Sequence, residues 1–348
     1  MLRLDRKLEN IRAGRYTRAD FIIADAKDSD MGSGVTGTGF TAARDGTAAR
    51  RRTRPEFLDA IQAVIEQDVV DIMLASVSNL DLLHRRRAFT DSAVKPAIRA
   101  NETTDCWSAI RHGTYAQHAS RPFRTANLSR VMYGTDRPTP GAPITGTDLG
   151  LYSVTFVNDI DADVRSLEAF AEFRREAAAN GFKYFYEVFN PNIPTTLDRE
   201  QTGQFVNDCI LRSLAGVSLE DRPQFLKIVY NGPEALEELA SFDPSLIVGV
   251  LGGSAGTTRD TFELLCQAER YGARLALFGR KINLAEEPLA LITLMREVAD
   301  GAVGPEEAVR AYHGELQKAG ATPARSLEDD RLITEEVLKP AAASLRAA

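Results

Sequence analysis

Short apolar runs alternate with longer amphipathic stretches along most of the chain. Residues 21–27, 69–75, 96–101, 151–157, 182–189, 225–232, 246–251 and 274–278 are dense in Val, Ile, Leu, Phe and Tyr. Each is bounded by polar, Gly or Pro residues, as buried strands are. Between them, residues 55–67, 163–180, 201–214, 233–241 and 258–270 carry apolar positions at helical spacing, and residues 3–14 open the chain with a short helix stopped at Gly14. Most of the runs lack a polar face, so both faces are covered, which is the habit of parallel sheets flanked by helices. Eight such repeats predict a (β/α)8 TIM barrel rather than an open sheet. Periodicity fades over residues 102–150, where Gly, Pro, Thr and Arg dominate; this is a long insertion after the third strand. The expected organisation is a catalytic barrel over residues 1–285 and a C-terminal helical extension over 286–348, packed on the barrel or on a neighbouring subunit.

Composition narrows the function classes. The chain has 348 residues, with 44% hydrophobic and 26% charged, the balance of a soluble globular protein. Its net charge of -7 carries no general footprint for nucleic acid. The arginines at 50–54 and 85–87 have two readings, solvated helix ends or phosphate-facing groups. Cys106, Cys209 and Cys266 are far apart and odd in number, which argues against a disulfide framework and fits a reducing cytoplasm. No run reaches ~18 apolar residues and the N-terminus is too charged for a signal peptide, so no membrane association is expected. His84, His112, His118 and His313 end no predicted strand, so neither a catalytic metal nor another cofactor is expected.

The sixth run, Phe225-Leu226-Lys227-Ile228-Val229-Tyr230, holds a cation in its middle. A buried ammonium is costly unless paired or deprotonated. Lys227 therefore either faces water from an edge strand or points into a barrel mouth as an amine able to attack a carbonyl. Side-chain alternation puts Lys227 with Phe225 and Val229, Glu187 with Phe185 and Phe189, and Asp25 with Phe21, Ile23 and Lys27. With strands five and six adjacent, Glu187 and Lys227 become a base beside a nucleophile, and Asp25 joins them from strand one. Two further strand ends carry glycines: Gly252-Gly253-Ser254 after strand seven and Gly279-Arg280 after strand eight. Loops at these two positions commonly hold phosphate in such barrels; the alternative is a pair of tight turns. Lys27, Asn101 and Arg124 are further candidates for substrate contact. The stretch 121–127 reads either as a cover for an anionic substrate or as an oligomer contact.

The set Phe185-Tyr186-Glu187-Val188, Phe225-Leu226-Lys227-Ile228, Gly252-Gly253 and Gly279-Arg280 resembles the class I aldolases of the deoxyribose-phosphate aldolase-like superfamily. It is closest to the tagatose-bisphosphate aldolase branch and similar to archaeal-type class I fructose-bisphosphate aldolases at strands six to eight. The resemblance implies a metal-independent aldolase of sugar phosphates, assembled as a homo-oligomer. Lys227 would form the Schiff base, Glu187 would shuttle the proton and Asp25 would orient the reacting groups. Gly252, Gly253, Gly279 and Arg280 would hold phosphate. The chain departs from the tagatose-type pattern in two places. Asp25 is followed by Ala26-Lys27-Asp28 rather than glutamine-arginine-glycine, and strand four lacks a late lysine. Two alternatives stay open: acyl transfer on a phosphorylated ketone by the same lysine, and non-catalytic phosphosugar binding.

Overall fold

The computed structural model describes residues 2–44, 47–252 and 256–341. Eight parallel strands close into a barrel: β1 Ile22–Lys27, β2 Ile72–Ala75, β3 Lys95–Arg99, β4 Leu149–Thr155, β5 Lys183–Phe189, β6 Leu226–Ile228, β7 Gly249–Leu251 and β8 Leu275–Phe278. Each strand pairs with its neighbours in sequence, and β1 closes the cylinder on β8 from Ile22 opposite Leu275 to Asp25 opposite Phe278. This is the (β/α)8 architecture that the eight apolar runs predict. The helices of six residues or more are α1 Arg3–Arg12, α2 Arg54–Gln67, α3 Val77–Arg85, α4 Leu128–Tyr133, α5 Ile160–Asn180, α6 Arg199–Leu214, α7 Pro233–Phe242, α8 Thr258–Arg270, α9 Pro288–Asp300 and α10 Pro305–Lys318.

Local sequence explains where the helices begin. Thr53 with Glu56, Asp198 with Gln201 and Thr257 with Asp260 form reciprocal capping boxes, each satisfying two otherwise orphan amides. The insertion after β3 holds a small antiparallel pair, Glu102–Thr103 with Pro122–Phe123, two 3-10 turns and α4. Helix α9 lies against α8 and α2 and takes the eighth place in the helical ring. The ring therefore runs to Asp300, past the boundary at 285 expected from the sequence, and α10 packs outside it on α8 and α9. Beyond α10 the chain runs back along α8. Asp330 accepts from the Thr258 amide, Asp260 accepts from the amides of Thr334 and Glu335, and Leu338 accepts from Gln267. No helix among the described residues is long and apolar enough to cross a membrane.

The core has two layers. Ile22, Ala24, Leu74, Leu151, Phe185 and Leu277 are among the side chains that fill the barrel axis, while Phe21, Ile23, Met73 and Tyr186 face the helices. At the N-terminal end of the strands, α1 plugs the axis with Leu4 and Leu8. The plug is held by Asp71, fully buried just before β2, which accepts from Arg3 at 2.8 Å, from Lys7 at 2.9 Å and from the Ile23 amide at 2.9 Å. Burial pulls the Lys7 ammonium below its ordinary range and Asp71 opposes that shift. Removing one partner of such a cluster leaves an uncompensated buried charge. Asp71→Ala should therefore lower stability to urea by ~3–5 kcal/mol. Because Asp71 lies at the end remote from the mouth, the variant should keep its ligand-binding behaviour in isothermal titration.

Candidate active site

Side-chain alternation in a closed barrel assigns every strand residue to the axis or to the helical layer. On β5 and β6 the residues facing the axis are Phe185 and Glu187, and Phe225 and Lys227. Phe185 and Phe225 stack with ring centroids 4.7 Å apart and form an apolar floor. One residue pair higher, Ser153, Glu187 and Lys227 stand side by side on β4, β5 and β6 as direct register partners. Lys227 Nζ lies 2.5 Å from Glu187 Oε1, with side chains only 7% and 1% exposed. The cation in the sixth run therefore points inward, beside the carboxylate of the neighbouring strand.

Two residues that sequence reasoning passed over complete this layer. Arg99, at the end of β3, donates through Nε to Asp28 at 2.5 Å, through Nη1 to Ser153 at 2.8 Å and through Nη2 to Glu187 at 3.3 Å. Ser153 in turn donates to Glu187 at 2.5 Å. Asp28, Arg99, Glu187 and Lys227 thus form a chain of alternating charge across the mouth, with no net charge. Burial raises the pull of the Asp28 carboxyl toward its neutral form, but Arg99 and then Lys227 outweigh it and hold the group below the ordinary range. Burial likewise disfavours the Arg99 cation, and Asp28 and Glu187 reverse the balance, carrying it above its ordinary value. The arrangement fixes Glu187 from two sides and leaves its Oε1 on the lysine.

Above the charged layer is a cavity of about 350 Å³. Gly252, Gly279 and Arg280 line it at the β7 and β8 ends, Asp28 and Ser29 at the β1 end, and Glu102, Asp105 and Cys106 on the side of the insertion. Neither glycine has a left-handed backbone. Each is glycine because of close approach: an added Cβ would stand 2.3 Å from Phe278 at Gly252 and 3.0 Å from the Ala26 carbonyl at Gly279. Gly253 and Ser254 lie outside the described residues. The insertion is stapled over the mouth by Asp105, which accepts from Thr155 at the end of β4 and from Ser120. Among the described residues, no group of three His, Cys, Asp or Glu side chains is placed to hold a metal ion.

The other sequence candidates sit elsewhere. Asp25 and Lys27 form an ion pair with each other at 2.9 Å in the layer between barrel and helices, and neither lines the cavity. The inward residues of β1 are Ile22, Ala24 and Ala26, and the next inward position is Asp28. Burial pushes the Asp25 carboxyl up and the Lys27 ammonium down, with each opposing the shift of the other. Asn101 bridges strands by accepting from the Ser153 amide at 2.6 Å and donating to the Ser153 carbonyl at 2.8 Å, so it supports Ser153 rather than facing a ligand. Arg124, in the insertion, packs against α5, paired with Glu176 and placed over the Phe173 ring at 5.2 Å, and it does not line the cavity.

The fold and mouth define a TIM barrel with a lysine–carboxylate site. No protein-family model matches the chain, and neither does any curated protein sequence. Among solved structures it is similar to an archaeal fructose 1,6-bisphosphate aldolase, at 13% identity and a TM-score of 0.58 over 86% of this chain and 99% of that one. It is also similar to an archaeal fructose-1,6-bisphosphate aldolase with its catalytic lysine bound to the carbinolamine intermediate of the substrate, at 14% identity and 0.58 over 86% and 100% of the two chains. A third similar structure is Cgl0159 from Corynebacterium glutamicum, at 16% identity and 0.53 over 86% and 98%. At these identities the likeness establishes the fold.

The placement of Asp25 has a measurable consequence. Lys27→Met alone strands a buried carboxylate and should destabilise the protein by ~3–5 kcal/mol, whereas Asp25→Val with Lys27→Met should cost less than either single change. Urea melts of the three variants check the order. The double variant should leave the charged layer at the mouth intact, since neither side chain reaches it.

Proposed function

We propose that the protein is a metal-independent class I aldolase that makes or breaks a carbon–carbon bond in a phosphorylated ketose through a Schiff base at Lys227. The observation that carries this reading is the placement of Lys227 inside the mouth, on an apolar floor and 2.5 Å from Glu187 on the adjoining strand. The similar solved structures named for Schiff-base chemistry share its fold. Three free cysteines suit the cytoplasm as its compartment.

In the cleavage direction, the Lys227 ammonium first passes a proton to Glu187. The free amine attacks the ketone carbon, and the carbinolamine loses water to give an iminium. Glu187, returned to its carboxylate form through water, takes the proton of the hydroxyl on the far carbon of the bond to be cleaved. That oxygen becomes an aldehyde carbonyl as the carbon–carbon bond breaks, and the bonding pair moves into an enamine. The aldehyde leaves, the enamine carbon takes a proton, and water hydrolyses the iminium to free the ketone and the lysine. Arg99 and Ser153 hold Glu187 by hydrogen bonds, so its orientation does not depend on the lysine alone. Gly252, Gly279 and Arg280 would meet the substrate phosphate, using binding energy remote from the reacting bond for orientation.

Sodium borohydride added with dihydroxyacetone phosphate should reduce the imine and leave a stable adduct at Lys227, read by peptide mass spectrometry. Lys227→Met should give no adduct. In Glu187→Gln the adduct should form more slowly, the lysine losing its proton to water, while turnover falls by ~10²–10⁴-fold, the range for a lost general base. An adduct on another lysine, or none in the parent protein, would overturn the assignment.

A further inference from the structure

The cavity is electrically lopsided. Arg280, Gly252 and Gly279 line the side formed by β7 and β8, next to Lys227 on β6. Across the barrel, beyond β3 and β4, the insertion contributes Glu102, Asp105 and Cys106. Glu102 is 7% exposed and hydrogen-bonded by Thr125, and both Asp105 oxygens accept hydroxyl protons. Arg99 stands at the end of β3 on that side, and its donors are engaged by Asp28, Ser153 and Glu187; Arg280 reaches far enough to line a neighbouring cavity with Asp105. Among the described lining residues three cations, Arg99, Lys227 and Arg280, face four carboxylates, Asp28, Glu102, Asp105 and Glu187. A phosphate fits beside Arg280; a second one across the barrel would meet Glu102 and Asp105 in a partly dry site where like charges repel strongly.

Arg121 and Arg165 do not change this balance. They line a separate cavity together with Asp159 and Asp161, and the two cavities share no lining residue. Asp105 lines the first and its hydrogen-bond partner Ser120 lines the second, so the staple marks the division between them.

We infer that the enzyme handles a substrate with a single phosphate, carried on the ketone fragment held at Lys227, and that the aldehyde fragment on the insertion side is uncharged. The inference rests on the aldolase reading and specifies its substrate class. In the bond-forming direction the phosphorylated arm sits on the enamine carbon bonded to the Lys227 nitrogen, and the other carbon of the double bond attacks the aldehyde carbon. The enamine pair forms the new bond, the aldehyde oxygen takes a proton from Glu187, and water releases the product from the lysine. Ser108 and the carboxylates of Glu102 and Asp105 on the insertion side suit the hydroxyls of a neutral aldehyde, which donate hydrogen bonds that phosphate oxygens do not.

The test offers dihydroxyacetone phosphate with either D-glyceraldehyde or D-glyceraldehyde 3-phosphate to the full-length protein and measures kcat/KM for bond formation. The unphosphorylated aldehyde should be preferred at least ten-fold. Asp105→Asn and Glu102→Gln should each narrow that preference by speeding the phosphorylated aldehyde. Equal or better use of glyceraldehyde 3-phosphate overturns the inference while leaving the aldolase reading standing, and so does use of neither aldehyde when borohydride still traps dihydroxyacetone phosphate at Lys227. Absence of that adduct removes the aldolase reading itself and the inference with it.

Discussion

An ammonium set two residues above a stacked pair of phenylalanines loses most of its water, and the fold has to supply the compensation. Here it comes from geometry that the sheet imposes. Parallel register puts Glu187 level with Lys227 and Ser153 level with Glu187, so three functional groups on three strands meet without any loop having to place them. Arg99 and Asp28 then extend the alternation of charge until the layer is neutral. Desolvating several ions is tolerable only when each has a partner and its remaining hydrogen-bonding positions are filled. That requirement makes the layer interdependent: a change in any one member alters the field on all the others.

The division of labour between strands and loops follows from the same constraint. Groups that must hold a fixed distance sit on β3 to β6, where rotamers are locked by packing. The groups that differ in charge from one side of the cavity to the other sit on the loops and on the insertion. Chemistry and selectivity are thereby separable, which is why barrels of this form support many reactions. The likeness to solved aldolases at 13–14% identity establishes the fold, and the acidic side of the cavity belongs to the insertion.

Much of this was legible from residues alone, and the failures have physical causes. The eight strands stand out because a strand covered on both faces is apolar throughout. Lys227 and Glu187 stand out for the same reason, as charges with no cheap place in such runs. The first strand misleads because both of its parities are apolar: Phe21 and Ile23 alternate with Ile22, Ala24 and Ala26, so nothing in the pattern says which set faces the axis. The narrow interior takes the small alanines and the wider helical layer takes Phe21, which sends Asp25 outward and leaves Asp28 at the mouth. Arg99 carries the same signal as Lys227, a cation late in an apolar run, but the run at 96–101 is short and begins with proline, which weakens it. Arg124 lies in an aperiodic stretch, where its partner Glu176 on a distant helix has no local signature.

The plug at the base of the barrel carries a last implication. With Leu4 and Leu8 sealing the axis and Asp71 pinning the helix that bears them, the cylinder is a vessel open at one end. Water, protons and any ligand all have to use the same doorway. In the proposed reaction a proton leaving Lys227 would pass to Glu187 or out past whatever occupies the rim, so proton traffic and occupancy of the doorway are linked by plumbing as well as by charge.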